Sequence, residues 1–261
     1  MSRLPISVCL VASNEAHRIA RTLDSVKDWT SEIVVAIDDK VTDGTDKIAE
    51  QYGAKVVCQS WRGHAAHRNF AMAHATQPWL FAIDADEVVS DALRAEIIVA
   101  FQSQKTHSLP AAYSFPRLSF FGGRWIRHGN WYPDRKVRIW RSDAGQWEGD
   151  PHEKLVVRGV VIPLRADLFH FSNENIDQLL SKISVVSTIF VRQCQARQRR
   201  TGWTDLTIRP FWKFVRAYFF RLGFLDGWPG YFIAWMDAFS TVTRYIKVIE
   251  AEQAKQPYAK K

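Results

Sequence analysis

The sequence predicts an α/β protein in which a mixed, mainly parallel sheet is flanked by helices and followed by a helical C-terminal extension. Short apolar runs alternate with stretches of helical periodicity over residues 1–105, a pattern typical of parallel sheets with helices on both faces. Polar residues directly follow several of the apolar runs. From residue 175 the apolar residues recur only at helical spacing. Because no low-complexity linker separates these regions, we expect the later regions to extend the first one and not to form a separate domain.

Apolar runs indicate the strands of the N-terminal part, and the segments between them carry helix signals. Ile19, Leu23 and Val26 share one helical face, and Thr42 or Asp43 can cap a second helix. The predicted strands are 6–12, 33–37, 55–58 and 79–83, and a third helix is predicted at 69–75.

From about residue 112 the pattern changes. Short strands such as 113–115 and 137–140 are separated by turns that contain Gly and Pro, which predicts a partly antiparallel extension of the same sheet. Apolar residues from Ile176 to Phe190 then recur at helical spacing. The chain is therefore expected to continue as a helical region.

The composition favours a partner that carries negative charge. The chain has 261 residues, 47% of them hydrophobic, with 11 Trp, a net charge of +8 and a pI of about 9.5. This balance suits nucleic acid, nucleotide phosphates or an anionic membrane. Cys9, Cys58 and Cys194 lack metal or redox spacing, which suits a reducing cytoplasm. The sequence shows no secretory signal and no apolar stretch long enough to span a bilayer.

The segment 191–222 is basic and rich in aromatic residues, and Asp205 is its only acid. Such a segment suits a helix that lies in the membrane interface, where Arg and Lys meet lipid phosphates. A helical hairpin packed on the core, or a surface that stacks single-stranded nucleic acid, is the alternative. We favour the membrane surface and expect no nucleic-acid partner.

The most informative motif is Asp84-Ala85-Asp86-Glu87, which follows the buried run 79–83. In an extended chain, residues i and i+2 point to the same side, so Asp84 and Asp86 would direct their carboxylates to one point. Two converging carboxylates suit a divalent cation that holds a diphosphate. A strand followed by an acidic helix start, capped by Ser90, is the alternative.

Polar residues at three strand ends are expected to meet at one edge of the sheet. Asn14-Glu15, Asp38-Asp39 and Asp84-Ala85-Asp86 each follow a predicted parallel strand. Ligands of such sheets bind outside the carboxyl ends of the strands. The sequence therefore predicts a ligand site at this edge.

Five landmarks occur in order along the chain. They are Ser13-Asn14-Glu15, Asp38 with Val41-Thr42-Asp43-Gly44-Thr45, Gly63 with Arg68-Asn69-Phe70-Ala71, Asp84-Ala85-Asp86-Glu87, and Pro151-His152-Glu153. This set resembles the inverting glycosyltransferases of family two, which have a GT-A fold. The chain looks closest to the branch that adds a sugar, often glucose, to the inner core of lipopolysaccharide, which the turn Gly223-Phe224-Leu225-Asp226-Gly227 also fits.

The resemblance implies three regions. Residues 1–105 would form the nucleotide-sugar-binding half of a GT-A domain, residues 106–174 its acceptor-binding half, and residues 175–261 a helical, membrane-associating extension. It implies transfer of glucose from a UDP-linked donor to a lipid-anchored saccharide, with Mg²⁺ or Mn²⁺ as cofactor. The enzyme would be peripheral on the cytoplasmic face of the bacterial inner membrane.

The resemblance also assigns roles at the donor site. Asp38 would accept a hydrogen bond from the base, or instead cap the next helix. Arg68 would bind the diphosphate, or instead lie exposed on its helix. Asp86 would bind the metal, and Asp84 the ribose or a metal-bound water. The full implied set is Ser13, Asn14, Glu15, Asp38, Arg68, Asp84, Ala85 and Asp86, with His170 as an additional metal or phosphate ligand.

In the implied reaction, an acceptor hydroxyl attacks the anomeric carbon while the nucleoside diphosphate leaves from the opposite face. Glu153 is the candidate base, with Asp150 in reserve, and a surface salt bridge is the alternative role for Glu153. Arg138, Arg141 and His152 are candidates for binding the acceptor. Another envelope glycan or a polyprenyl-linked acceptor, a nucleotidyltransferase and a non-catalytic membrane-surface protein are the alternative functions.

Overall fold

The computed structural model describes residues 3–103, 110–149, 153–171, 176–199 and 201–254. The chain divides into two compact units, one formed by residues 1–117 and 134–170 and the other by residues 118–133 and 171–261. The first unit contains the sheet that was predicted from the alternating pattern. The segment 106–174 contributes to both units.

Strands and helices alternate in the first unit, and helices dominate the second. The strands are β1 (Leu4–Ala12), β2 (Thr30–Ile37), β3 (Lys55–Cys58), β4 (Trp79–Asp84), β5 (Glu87–Val89), β6 (Ala112–Phe121), β7 (Arg124–Ile126), β8 (Asp134–Arg141), β9 (Gly145–Glu148), β10 (Lys154–Val157), β11 (Val161–Pro163) and β12 (Leu168–His170). The helices are α1 (Ile19–Asp24), α2 (Thr45–Gln51), α3 (His64–Ala73), α4 (Asp91–Gln102), α5 (Ile176–Ala196), α6 (Trp203–Leu206), α7 (Ile208–Val215) and α8 (Gly227–Gln253).

The parallel part of the sheet has the strand order β3-β2-β1-β4. β1 pairs in parallel with both β2 and β4, and β2 pairs in parallel with β3. Its apolar side chains are buried; Val8, Val35 and Phe81 are fully inaccessible. The predicted parallel sheet is confirmed, so the carboxyl ends of β1, β2 and β4 lie at one edge.

The sheet continues with antiparallel strands, as the change of pattern near residue 112 predicted. β8 pairs with β4 and with β6, and β11 runs parallel to the start of β6. β12 pairs with β5, which places His170 opposite Glu87. The sequence did not predict β5, because a three-residue strand beside an acidic turn carries too little periodicity to detect.

α3 begins at His64, whereas the sequence predicted a helix from residue 69. Gly63, directly before it, has a φ of 105°, a conformation that favours glycine. Ala65 and Ala71 form the buried face together with His67. Small side chains give a weak apolar signal, which explains why the first turn was missed.

The second unit packs α5, α6 and α7 against the long helix α8. Phe121, Ile126 and Ile233 form a small buried cluster. Asp226 accepts a 2.8 Å hydrogen bond from the His128 backbone N–H and lies 3.0 Å from Nδ1 of the same residue. In the described part of the chain, no helix combines the length and the apolar content that crossing a bilayer requires.

Candidate active site

An acidic turn connects β4 to β5 at the predicted edge of the sheet. β4 ends at Asp84, Ala85 and Asp86 form the turn, and β5 begins at Glu87. The buried Thr22 hydroxyl lies 2.8 Å from the carbonyl oxygen of Ala85 and 2.7 Å from that of Glu87. Its single proton is shared between the two carbonyls, which ties α1 to the turn.

Two arginines hold Asp84. Arg68 Nη2 on α3 donates to Asp84 Oδ1 at 2.7 Å, and Arg138 Nη2 on β8 donates to Asp84 Oδ2 at 2.9 Å. Burial by itself would raise the pKa of Asp84, but the charges of Arg68 and Arg138 and their hydrogen bonds hold that pKa well below its usual range. Asp84 is therefore a carboxylate with both oxygens engaged.

Glu87 lies beneath the turn and is fully inaccessible to solvent. Its Oε1 accepts from Arg138 Nη2 at 2.6 Å and from Arg117 Nη1 at 3.2 Å, and its Oε2 accepts from the Asp84 backbone N–H at 2.9 Å. Arg117 Nη2 also donates to Asp134 at 2.7 Å. No role for Glu87 was predicted from the sequence, and Arg117 was not identified. Arg117 could have been found, because it is a charged residue within the mainly apolar run of β6.

Asp86 faces different neighbours. Its Oδ2 lies 3.5 Å from His170 Nε2 and 3.9 Å from Arg18 Nη1. Burial and the Asp84 charge raise the pKa of Asp86, but the hydrogen bond and charge of His170, with Arg18, outweigh them and lower it. The sequence predicted an extended conformation at 84–86. This prediction is wrong, because the chain turns at Ala85 and Asp86. The two carboxylates therefore contact separate partners.

Arg68 is positioned by the β9 strand. Its guanidinium lies over the Trp147 ring, 4.7 Å from the centroid, while Asn69 pairs with the Trp147 backbone through hydrogen bonds of 2.9 and 3.0 Å. Glu153 Oε1 lies 3.8 Å from Arg68 Nε. Among the described residues, Arg68 Nε and Trp147 Nε1 are buried donors without a hydrogen-bond partner. Such donors are rare, and a ligand or water oxygen would satisfy them.

The loops after β1 and β2 are fastened to each other. The Thr42 N–H donates to Asn14 Oδ1 at 3.1 Å, and the Glu15 N–H donates to Thr45 Oγ1 at 2.8 Å. Glu15 also accepts from Arg18, the residue beside Asp86. Ser13 is exposed and Asp38 is half-buried at the end of β2. The three strand ends therefore occupy one edge, and the role of each residue stays a prediction.

The remaining predicted residues lie in different settings. Arg138 is only 4% exposed and reaches Asp84 and Glu87, whereas Arg141 pairs with exposed Asp143 at 2.8 Å. Asp150 and His152 lie outside the described residues. The acceptor-binding role of Arg138, Arg141 and His152 stays a prediction, as does the role of Asp150 as reserve base.

Comparison with known proteins identifies the family. Residues 7–153 match the family model described as Glycosyl transferase family 2. The chain belongs to glycosyl transferase family 2. The match runs from within β1 to Glu153 and includes the acidic turn and Arg68.

Relatives of this family 2 chain extend the comparison over nearly its whole length. An uncharacterized glycosyltransferase of Rickettsia felis is 30% identical over 266 residues, covering 94% of this chain and 90% of the relative. The lipopolysaccharide core biosynthesis glycosyltransferase LpsC of Rhizobium meliloti is 26% identical, covering 93% and 94%.

A solved structure supports the fold of this family 2 protein. It is the mannosyltransferase PcManGT of Pyrobaculum calidifontis in complex with GDP-Man and Mn²⁺, with a TM-score of 0.56 and 14% identity, covering 97% of this chain and 89% of that one. The expected GT-A architecture is confirmed, as is the presence of C-terminal helices.

At the acidic turn, Asp86 is the carboxylate that would be available to a divalent cation. Among the described residues, no group of three or more His, Cys, Asp or Glu side chains is arranged to hold a metal. Mg²⁺ is commonly held by one or two carboxylates together with substrate phosphates. Asp86 supplies such a carboxylate and His170 a neighbouring nitrogen, whereas both oxygens of Asp84 already accept from arginines.

Proposed function

We propose that this family 2 protein transfers a sugar, with inversion, from a nucleotide-sugar donor to a lipid-anchored saccharide acceptor. The carrying observation is the acidic turn, with Asp86 beside His170 and with a buried Arg68 Nε that makes no hydrogen bond. The similarity to LpsC favours an acceptor of the lipopolysaccharide-core type. The donor we propose is UDP-glucose.

The donor would lie along the shared edge of β1, β2 and β4. Asp38 would accept a hydrogen bond from the base, and Asn14 and Glu15 would border the base or ribose. Arg68 would donate to a diphosphate oxygen through Nε while Nη2 stays on Asp84. A planar guanidinium is suited to this because it offers donors in two directions at once.

Transfer requires a leaving diphosphate and a deprotonated acceptor hydroxyl. A divalent cation held by Asp86 and the donor phosphates would neutralise leaving-group charge. Arg68 would stabilise the same charge from the other side. Glu153, 3.8 Å from Arg68 Nε, would take the acceptor proton, a contribution of about 10²–10⁴-fold.

The second unit would hold the enzyme at the surface that carries its acceptor. Large apolar side chains are exposed on it, including Phe211 at 68%, Phe220 at 69% and Trp203 at 81%. Cations such as Arg209 and Arg216 lie in the same segment. Exposed rings beside cations suit the interface of an anionic bilayer. We propose a peripheral position on the cytoplasmic face of the inner membrane.

A donor screen tests the enzymatic proposal. Purified full-length protein is incubated with nucleoside diphosphate sugars, with and without Mn²⁺, and release of the nucleoside diphosphate is measured. We expect Mn²⁺-dependent turnover with a uridine sugar, and its loss in Asp86→Ala. Asp28→Ala, which removes an exposed carboxylate before β2, is the matched control and should keep turnover. Turnover that survives Asp86→Ala, or no response to any nucleotide sugar, would contradict the proposal.

Co-sedimentation with lipid vesicles tests the membrane proposal. We expect the wild type to bind anionic phosphatidylglycerol vesicles and to bind less as salt is raised. Phe211→Ser with Phe220→Ser should weaken binding, whereas Val160→Ser, which changes a 70% exposed residue of the first unit, should not. Equal binding by all three proteins would exclude the aromatic surface.

A further inference from the structure

A cavity in the second unit has no role in the proposed reaction. It lies between α7 and α8 and has a volume of about 450 Å³. Small-molecule sites commonly measure about 300–1,000 Å³. Its lining includes four cationic side chains, Arg209, Lys213, Arg216 and Arg244, and one acid, Asp237. We call it the phosphate pocket.

Much of this positive charge is not neutralised by the protein. Arg209 pairs with Asp205 at 2.7 Å, and Asp237 Oδ2 accepts from Asn130 at 2.6 Å. Among the described residues, Lys213 and Arg216 make no side-chain hydrogen bond and no ion pair within 4.0 Å. Lys213 of α7 and Arg216, directly after this helix, thus line the cavity without a hydrogen-bond or ion-pair partner among the described residues.

The surroundings of Lys213 disfavour its charged form. The Lys213 side chain is half-buried. Desolvation and the nearby charge of Arg244 lower the pKa of Lys213, although the charge of Asp237 acts in the opposite direction. Arg244 itself is fixed over the Phe190 ring and donates to Thr241 Oγ1 at 3.1 Å. A bound anion would relieve the repulsion between Lys213 and Arg244.

The backbone changes form at the pocket. α7 ends at Val215, and a π-helical turn, Arg216–Phe220, follows directly. Such turns are rare and are frequently found at functional sites. Trp131 and Trp212 also line the cavity and provide flat aromatic surfaces beside the cations.

We propose that the phosphate pocket binds a phosphate ester carried on a polar body such as a sugar or glycerol. Lys213 and Arg216 donate to the phosphate oxygens, and Trp131 and Trp212 contact the polar body. A bare phosphate would leave most of the cavity unfilled, since its volume is well below 450 Å³. Two sources share this chemistry, a phospholipid headgroup and a soluble sugar or glycerol phosphate.

This site is independent of the donor site in the first unit. Its occupation requires neither a nucleotide sugar nor a cation at Asp86. Binding is therefore measured without either, and Asp86→Ala is expected to bind as the wild type does. A wild type that binds at the pocket but releases no nucleoside diphosphate from any nucleotide sugar would count against the proposed reaction only. A wild type that turns over a nucleotide sugar but does not bind at the pocket would count against the pocket only.

The test compares two double variants of the full-length protein. Lys213→Gln with Arg216→Gln removes the unpaired cations, and Lys47→Gln with Arg165→Gln removes the same charge from exposed positions of the first unit. Glycerol 3-phosphate is titrated by calorimetry with glycerol as the control ligand, and phosphatidylglycerol vesicles are compared with phosphatidylcholine vesicles by co-sedimentation. Circular dichroism checks that each variant is folded. If the pocket double variant fails to fold, Arg216→Gln alone is used, because Arg216 is exposed.

We expect the pocket variant to lose about tenfold or more in affinity for a phosphate ester, and the control variant to stay within about twofold. Pocket-dependent binding of glycerol 3-phosphate assigns a soluble ester as the ligand, and pocket-dependent binding of phosphatidylglycerol vesicles alone assigns the headgroup. Lys213→Arg should retain binding in either case. Equal losses in the two double variants, or a wild type that binds neither probe, would overturn the proposal.

Discussion

Arg138 donates a 2.6 Å hydrogen bond to Glu87, and both side chains are buried. Burial alone would lower the pKa of Arg138, but the charges of Glu87 and Asp84 raise it, so the guanidinium stays charged. The same Nη2 atom reaches Asp84 at 2.9 Å. One buried arginine thus links the turn that carries Asp86 to the carboxylate beneath it. The acidic turn is therefore a preformed structure.

We expect Glu87→Ala to destabilise the protein by about 3–5 kcal/mol, because it leaves the buried charge of Arg138 with a single partner. It also removes the acceptor for the Asp84 N–H. Urea unfolding at neutral pH measures the loss. Asp143→Ala is the matched control, since it breaks an exposed arginine–carboxylate pair, and should change the midpoint little. Similar midpoints for the two variants would show that the buried pair does not stabilise the fold.

Asp84 should make stability depend on acid pH. Its pKa is lowered in the folded state, so its contribution is complete above the unfolded value of about 4 and is lost as pH falls through the folded value. Asp84→Asn should therefore be less stable than the wild type at neutral pH, and the two should converge in acid. Urea midpoints measured between neutral pH and about pH 2 test this. Asp86 and Asp134 also have lowered pKa values and contribute to the pH dependence of both proteins. If the urea midpoints of Asp84→Asn and the wild type change in parallel with pH, the prediction is contradicted.

The alternation of apolar runs was sufficient to predict the parallel sheet and the edge at which its strand ends meet. β1, β2 and β4 contain the predicted segments 6–12, 33–37 and 79–83, because strands buried on both faces have continuous apolar runs. The carboxylates of the acidic turn were found for the same reason, since they interrupt such a run.

The interactions within the site could not be predicted in the same way. Arg138 comes 54 residues after Asp84 and Arg117 30 residues after Glu87, and neither pairing leaves a local pattern. The direction in which the Asp86 side chain points depends on the turn at Ala85, and hydrophobic periodicity does not predict that turn. Which carboxylate faces a ligand was therefore decided by tertiary contacts.

Asn69 is expected to hold β9 against α3. Asn69→Ala removes two hydrogen bonds to the Trp147 backbone and should cost about 1–3 kcal/mol, because it leaves a partly buried N–H and C=O unpaired. Amide hydrogen exchange at Trp147 should become faster, whereas exchange in β1 should change only with global stability. Ser103→Ala, which removes an exposed hydrogen bond at the end of α4, is the control. Unchanged exchange at Trp147 would show that β9 does not depend on Asn69.

Arg68→Lys separates the two roles proposed for Arg68. A lysine keeps the charge near Asp84 but cannot offer a second donor in the position of Nε or lie flat on Trp147. We expect the KM for the nucleotide sugar to rise about tenfold or more, since a charge-assisted hydrogen bond to the diphosphate is lost. The fold should remain close to wild type in urea unfolding. Arg165→Lys, on the exposed segment after β11, should leave KM unchanged. A wild-type KM in Arg68→Lys would mean that Arg68 serves only to position Asp84.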